Sequence, residues 1–95
     1  MDAKKLEILM TAVDLGSFSK ASEVVGYTQS GLTHLVNSLE REIGFPLIMR
    51  SHNGVSLTEQ GKELVPDIRQ FLQVNASLEN RIQAMAKQQG ETRFP

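Results

Sequence analysis

Cysteine is absent from the 95-residue chain, so disulfide bonds, thiolate zinc sites and a cysteine nucleophile are all excluded. No apolar run approaches the roughly 20 residues that a membrane-spanning helix needs, and the amino terminus has no signal-peptide core. The lack of cysteine also fits a reducing cytosol. Together these absences predict a cytoplasmic protein with no membrane partner.

An excess of basic residues is missing as well. The chain carries 10 Lys and Arg against 11 Asp and Glu, which gives a net charge of −1. Residues 1–60 hold five basic and seven acidic side chains, a net charge of −2. Nucleic-acid-binding domains usually carry a basic surface, so a DNA-binding interpretation has to come from the pattern of the residues. The 40% hydrophobic and 22% charged content is typical of a folded domain.

Apolar residues recur at helical spacing along nearly the whole chain. The pattern predicts a first helix over residues 3–15 and a short second helix that ends at Gly26. Thr28 is a natural N-cap for a third helix, residues 28–42, and Gly44 is its stop. Two helices joined by a tight turn are typical of a helix-turn-helix, whose second helix is free to enter a DNA major groove.

The spacing changes after Pro46, where two short runs of strand type flank Asn53-Gly54. Asn-Gly predicts a two-residue hairpin turn, because both central positions of that turn have positive φ. Thr58 then caps a fourth helix, which the apolar spacing extends to about residue 88.

The predicted fold class is mainly α: a winged helix-turn-helix of three helices plus a short β-hairpin wing, followed by a long linker or dimerisation helix. The DNA-binding domain would occupy residues 1–57 and the linker helix residues 58–88. Residues 89–95 are expected to form a frayed tail, because they are polar and include Gly90 and Pro95.

The outer face of the third helix carries side chains of the kind that read DNA bases. Glutamine and asparagine can pair with adenine, and the threonine methyl can touch a thymine methyl. A merely solvated face is the alternative, although such a face is usually richer in Lys and Glu. The positions i, i+3, i+4 and i+7 opposite the apolar stripe are Ser30, Thr33, His34 and Asn37, with Gln29 before them.

The hairpin is the second candidate contact with DNA. Arg50 ends its first strand and can reach a phosphate or a narrow minor groove. Ser51 and His52 lie at its tip. The alternative for Arg50 is an ion pair with Glu40 or Glu42.

Neither a metal site nor a catalytic site is predicted. His34 and His52 stand 18 residues apart, with no acidic residue at ligand spacing. The sequence has no phosphate-binding loop, no nucleophile motif and no paired carboxylates in an evident pocket. The chain is therefore not expected to be an enzyme or to hold a cofactor.

The fourth helix carries an apolar pattern whose spacing alternates between four and three over three heptads, which is typical of a coiled-coil seam. At ~1.5 Å per residue this helix is about 42 Å long, so its distal half has nothing local to cover it. Packing on the chain's own domain is the alternative. We expect a dimer interface formed by Ile68, Phe71, Asn75, Leu78, Ile82 and Met85.

At these residues the chain resembles the amino-terminal DNA-binding domain of LysR-type transcriptional regulators, followed by that family's linker helix. Four blocks carry the resemblance, in matching order and without gaps: GSFSKAS (16–22), TQSGLTHLVNSLEREIG (28–44), PLIMR (46–50) and LTEQGKEL (57–64).

Three positions depart from the family's pattern, which usually has proline where Ser30 stands, a basic residue at His34 and phenylalanine at Ile48. The change at His34 takes a cation from the DNA face. The resemblance implies recognition-helix contacts at Gln29, Ser30, Thr33, His34 and Asn37 and a wing contact at Arg50. Together with the neighbouring Thr28, Ser51 and His52, these residues form the expected DNA-binding site.

The resemblance also implies a bacterial transcription regulator that binds a partly palindromic operator in double-stranded DNA as a homodimer, with antiparallel linker helices. Family members carry a carboxy-terminal effector-binding domain that these residues do not include, so a small-molecule effector is expected only there. Higher oligomers of a full-length protein stay open. The two alternatives are a small stand-alone winged-helix repressor and a helical protein-interaction module without DNA binding.

Overall fold

The computed structural model describes residues 2–93, with side chains for residues 2–89. The predicted fold class is confirmed, because three helices are followed by a two-stranded antiparallel hairpin and a long helix. We refer to residues 2–58 as the head and to β1, β2 and their turn as the wing. The elements are α1 (Ala3–Leu15), α2 (Phe18–Val25), α3 (Gln29–Ile43), β1 (Ile48–Ser51), β2 (Gly54–Leu57) and α4 (Glu59–Arg93).

Local capping sets the ends of the head's helices. The side chains of Asp2, Ser17 and Thr28 accept hydrogen bonds from the first turns of α1, α2 and α3, and each of these helices ends at a glycine. Such N-caps satisfy amides that have no partner within the helix. The turn between α2 and α3 is therefore short, and it fixes the two helices of the helix-turn-helix against each other.

The core of the head lies between α1, α2 and α3. Leu9, Leu32 and Leu39 are at most 1% exposed, and no polar side chain is buried in the part of the chain that the structure describes. Leu47, just before the wing, and Ile68, from α4, belong to the same cluster. Each leucine buried in this way stabilises the fold by about 1.5–3 kcal/mol relative to an exposed one.

The hairpin forms, but its turn lies one residue earlier than the sequence pattern suggested. Ser51 pairs with Gly54, so His52 and Asn53 occupy the two turn positions. The prediction that Asn53 and Gly54 are the central turn residues, both with positive φ, is wrong. Among the described residues only glycines have positive φ, and Gly54 is one of them.

A contact with the end of α1 explains why Gly54 is needed. Its φ is 123°, and a Cβ at this position would collide with the carbonyl oxygen of Gly16. The Val55 N–H donates to that same oxygen at 3.0 Å. Glycine therefore lets the wing backbone lie directly against α1, a reason that the local sequence does not reveal.

The start of α4 is fastened to the backbone that precedes the wing. Thr58 Oγ1 accepts from the Gly61 N–H at 3.0 Å, as expected of a cap, and donates to the Pro46 carbonyl at 2.8 Å. The Thr58 N–H donates to the Leu47 carbonyl at 3.0 Å. A Cβ on Gly61 would collide with that same carbonyl oxygen. The start of α4 is thus packed closely against the backbone of Pro46 and Leu47, which follows α3 in the chain.

Helix α4 is longer than predicted and continues to Arg93. Gly90 does not end it, because one glycine costs a helix only about 1 kcal/mol relative to alanine. Phe94 and Pro95, the end of the expected frayed tail, lie outside the described residues. The predicted division between a DNA-binding domain and a linker helix stays a prediction.

Candidate nucleic-acid interface

Four of the expected DNA contacts form one exposed surface of α3, which we call the recognition face. Thr33 lies on the same side of the helix but is half-buried. The opposite side of α3 holds the helix against the core through Leu32, Val36 and Leu39. The recognition face consists of Gln29, Ser30, His34 and Asn37, all exposed.

Thr28 has a structural role at the start of α3. Its Oγ1 accepts from the Gly31 N–H at 2.9 Å and lies 3.4 Å from the Ser30 hydroxyl. The side chain is exposed beside the recognition face, so its expected contact with DNA stays a prediction.

Arg50 reaches from the wing to two helices of the head. Its Nη1 donates to Thr33 Oγ1 at 2.9 Å. Its guanidinium carbon lies 4.3 Å from the centre of the Phe18 ring, close enough for a cation–π interaction. The structure therefore places Arg50 between the wing, α3 and the start of α2.

Glu40, one of the two carboxylates considered as a partner of Arg50, is engaged elsewhere. Its Oε2 accepts from the backbone N–H groups of Leu47 at 2.5 Å and of Ile48 at 3.1 Å. Hydrogen bonds to a charged acceptor contribute more than neutral ones, about 1.5–3 kcal/mol each. Glu40 thus ties the first strand of the wing to α3.

The wing tip is exposed and adjoins a polar cleft. Ser51 and His52 are both exposed, and the Ser51 hydroxyl accepts from the Asn53 N–H at 3.2 Å. The cleft, which we call the wing cleft, has a volume of about 280 Å³ and lies between the start of α2 and the wing. No carboxylate occurs among its lining residues, which are Ser17, Phe18, Ser19, Gln29, Arg50, Ser51, His52, Gly54 and Val55.

The sequence pattern does not point to Phe18 as a functional residue. The residue is only 5% exposed, as is usual for an apolar side chain in a core. Nothing in the spacing of the chain reveals that Arg50, 32 positions later, lies over its face. An arginine near an aromatic residue in space is a signal that only the folded structure provides.

One residue of the expected dimer interface lies elsewhere. Ile68 is 9% exposed and belongs to the core cluster of the head, because the first turns of α4 pack on the head. Ile68 therefore packs mainly on its own head, and its expected contact with a second chain stays a prediction. The other apolar members are exposed, and Asn75 is half-buried with its Nδ2 donating to Glu79 at 3.0 Å. The exposed members are Phe71, Leu78, Ile82 and Met85.

An apolar groove continues from this seam onto the head. Its volume is about 630 Å³, and it lies where α4 meets α1 and the end of α3. Glu42 and Asp67 also line it. Its apolar lining comprises Leu6, Ile43, Phe45, Leu64, Ile68 and Phe71.

Residues 2–93 contain neither a candidate metal site nor a candidate membrane-spanning helix. No cluster of three or more His, Asp or Glu side chains there could hold a metal ion. No helix in the same part of the chain is both long and apolar enough to cross a lipid bilayer.

Comparison with known proteins gives a consistent set of relatives. A family model described as "Bacterial regulatory helix-turn-helix protein, lysR family" matches residues 3–62. The HTH-type transcriptional regulator TfdT of Cupriavidus pinatubonensis is 33% identical over 87 residues, which cover 92% of this chain and 38% of that protein. The HTH-type transcriptional regulator YofA of Bacillus velezensis is 33% identical over 95 residues, which cover 100% of this chain and 32% of that protein.

The fold also has a close match among solved structures. In the crystal structure of a CbnR_DBD–DNA complex, a chain with 27% identity aligns with a TM-score of 0.80. The alignment covers 90% of this chain and 99% of that one. The chain spans about a third of the length of TfdT and YofA, and both are named as transcriptional regulators. The expectation that the chain is not an enzyme is thereby confirmed.

Proposed function

Because the chain belongs to the lysR family of bacterial regulatory helix-turn-helix proteins, we propose that it binds double-stranded DNA sequence-specifically as part of a cytoplasmic transcription regulator. Helix α3 enters the major groove, and the wing lies against the neighbouring backbone. The recognition face carries this proposal: it presents exposed hydrogen-bonding side chains with no Lys, Arg, Asp or Glu among them. The similarity to a chain solved in a DNA complex supports it.

We assign base reading first to Gln29, which is exposed in the first turn of α3. Replacing Gln29 with alanine should weaken specific binding by about 1–3 kcal/mol and relax base preference at one position of the site. Gln73→Ala is the matched control: Gln73 is exposed on α4, away from the recognition face, and its replacement should leave binding unchanged. Equal weakening on every DNA sequence would instead identify Gln29 as a phosphate contact.

We propose that two chains pair through their α4 helices in antiparallel orientation. The exposed apolar side chains support this proposal. Leu78 and Ile82 are 55% and 54% exposed, on a part of α4 that the other described elements leave uncovered. Leucine and isoleucine recurring at seam spacing are the side chains that helix pairs bury. Asn75 is a polar group that could set the register of such a seam.

The groove beside α4 favours the same arrangement. It joins the seam at Phe71 and is lined mainly by apolar side chains, including Leu6, Phe45 and Leu64. An antiparallel partner would bring Ile82 and Met85 of its own α4 toward this groove. Two recognition faces would then approach half-sites about one DNA turn, ~34 Å, or a multiple of it apart.

Selection of bound duplexes from a random-sequence DNA library at low salt tests the proposal. We expect enrichment of a dyad whose half-sites are separated by about one helical turn or a multiple of it. A helical chain, verified by circular dichroism, that enriches no sequence would contradict specific binding. Enrichment of a single, undivided site would contradict the paired arrangement while leaving DNA binding intact.

The acidic charge balance of residues 1–60 favours a second candidate, a helical protein-interaction module. Residues 1–60 carry a net charge of −2, which opposes binding to a polyanion. The two candidates differ in their dependence on salt. Affinity for DNA falls steeply as salt rises, because binding releases counterions, whereas salt-insensitive binding to a protein would favour the module.

A further inference from the structure

The Thr33 hydroxyl is engaged on both sides. Its Oγ1 donates to the Gln29 carbonyl at 3.1 Å and accepts from Arg50 Nη1 at 2.9 Å. A hydroxyl has a single proton to donate, and the Gln29 carbonyl takes it here. Thr33 is also half-buried, whereas the residues of the recognition face are exposed. The side chain is therefore poorly placed to offer a hydrogen bond to a base.

Arg50 is held from three elements of the head. Its backbone belongs to β1, its Nη1 is bound by Thr33 on α3, and its guanidinium carbon lies 4.3 Å from the Phe18 ring centre on α2. The ring itself is fixed, since Phe18 is only 5% exposed. A long arginine side chain usually loses rotamer freedom when it binds a ligand. Here the side chain, although exposed, already contacts Thr33 and Phe18 before any ligand arrives.

The held guanidinium adjoins a cleft that suits an anion. A guanidinium has five N–H donors in a planar fork that matches phosphate geometry, and Thr33 accepts from one of them. Arg50 lines the wing cleft, whose volume of about 280 Å³ can accommodate a phosphate group. Ser19 and His52 line it as further polar groups, and no carboxylate occurs among its lining residues to repel an anion.

We infer that Thr33 is a positioning residue for Arg50 and not a base-reading residue, and that Arg50 held in this way binds a DNA backbone phosphate at the wing cleft. The inference rests on the proposed binding to DNA and adds to it. It separates Thr33 from the recognition face, although both lie on the same side of α3. The recognition face specifies the sequence, while Thr33 and Phe18 prepare the backbone contact.

The salt dependence of DNA binding tests this assignment. For a duplex of about 30 base pairs, the slope of log affinity against log salt falls by about 0.9 for each phosphate that the protein no longer neutralises. Arg50→Gln should reduce the slope by about that amount per subunit. Thr33→Val removes only an uncharged hydroxyl, yet it should reduce the slope in the same direction and weaken binding about threefold or more. Neither substitution should change which bases are preferred.

Matched variants separate positioning from a general structural effect. Thr33→Ser keeps both hydrogen bonds and should behave as wild type. Thr11→Val is the control, because Thr11 makes the same bond to the carbonyl four residues earlier, Glu7, but on α1. It should leave the salt slope unchanged. All variants are compared at equal helicity by circular dichroism.

The double variant Arg50→Gln/Thr33→Val completes the cycle. If Thr33 acts through Arg50, the double variant binds no more weakly than Arg50→Gln alone. Additive losses, or a Thr33→Val variant with an unchanged slope and an altered base preference, would overturn the inference and leave DNA binding standing. A wild-type chain that bound no duplex would instead overturn the proposed function, and the role of Thr33 with it.

Discussion

The apolar side chains are buried in the head but exposed in distal α4, by which we mean residues 73–93. Leu9, Leu32 and Leu39 of the head are at most 1% exposed, whereas Leu78 and Ile82 of distal α4 are more than half exposed, at 55% and 54%. Both regions are helical with apolar residues at regular spacing, so spacing alone does not distinguish them. The difference indicates that the head completes its core from its own chain, whereas the apolar side chains of distal α4 stay uncovered among the described residues, as the proposed pairing requires.

This division also separates the two tasks of the proposed function. The recognition face and Arg50 lie on the head, whose elements are joined by the hydrogen bonds of Glu40 and Thr58 and by the close approach of the wing to α1. Pairing is left to the exposed seam of α4. Changes in one region should therefore leave the other largely unaffected, and four experiments test the account of the two regions.

The largest effect on the stability of the single chain is expected in the core of the head. Leu39→Ala, at a position that is 0% exposed, should lower the free energy of unfolding by about 2–5 kcal/mol through reduced burial and the cavity left behind. Leu78→Ala makes the same chemical change in distal α4. In dilute, monomeric protein it should change stability by less than about 0.5 kcal/mol. Urea unfolding at low concentration compares the two, and equal losses would contradict the contrast between the regions.

The next effect concerns pairing. Ile82→Asp places a carboxylate in the proposed seam, and an unpaired buried charge costs about 3–5 kcal/mol, so the dimer should weaken more than about 100-fold. Sedimentation should detect monomers with an unchanged helical spectrum. Asn80→Asp, on the other side of the helix, is the control and should keep the dimer. A dimer that survives Ile82→Asp would exclude pairing through this seam.

A smaller effect is expected where the wing meets α1. Gly54→Ala combines a φ of 123° with a collision against the Gly16 carbonyl, and it should cost about 1–3 kcal/mol of stability. Gly44→Ala is the matched control, since Gly44 has a φ of 103° but nothing within 4 Å of its would-be Cβ. Thermal unfolding should therefore rank Gly54→Ala as the more harmful. The reverse order would mean that backbone strain, and not the wing contact, dominates.

The smallest effect concerns the ion pair that links α4 to α1. Arg69 Nη2 lies 2.8 Å from Asp14 Oδ1, with side chains that are 52% and 54% exposed. Exposed pairs contribute about 0–1 kcal/mol and are screened by salt. A double-mutant cycle of Arg69→Ala and Asp14→Ala should give a coupling energy within that range, falling as salt rises. A salt-independent coupling well above it would mean that charge, and not apolar packing, fixes α4 on the head.

The sequence predicted what local chemistry determines. Apolar spacing and capping residues located α1, α3 and the end of α2 to within about one residue, because Thr28 and its counterparts act within a single turn of helix. The hairpin was also found, but its turn was placed wrongly. Gly54 is required by a contact with Gly16, which lies 38 positions earlier in the chain.

Contacts between residues that are distant in the sequence also explain why the positions of Ile68, Phe18 and Thr33 were not predicted. A heptad pattern does not reveal whether Ile68 packs on its own head or on another helix, and the structure places it in the head. Phe18 and Thr33 acquire their relation to Arg50 only when α2, α3 and β1 meet. Relations of this kind depend on tertiary geometry, so spacing along the chain carries no signal for them.

Protection of guanine N7 from methylation, on a duplex selected from the random library, tests the central claim most directly. This atom is accessible in the major groove, which the recognition face is proposed to enter. We predict two protected stretches, related by a dyad and separated by about one helical turn or a multiple of it. Bound DNA with no major-groove protection, or with a single protected stretch, would contradict recognition by paired α3 helices.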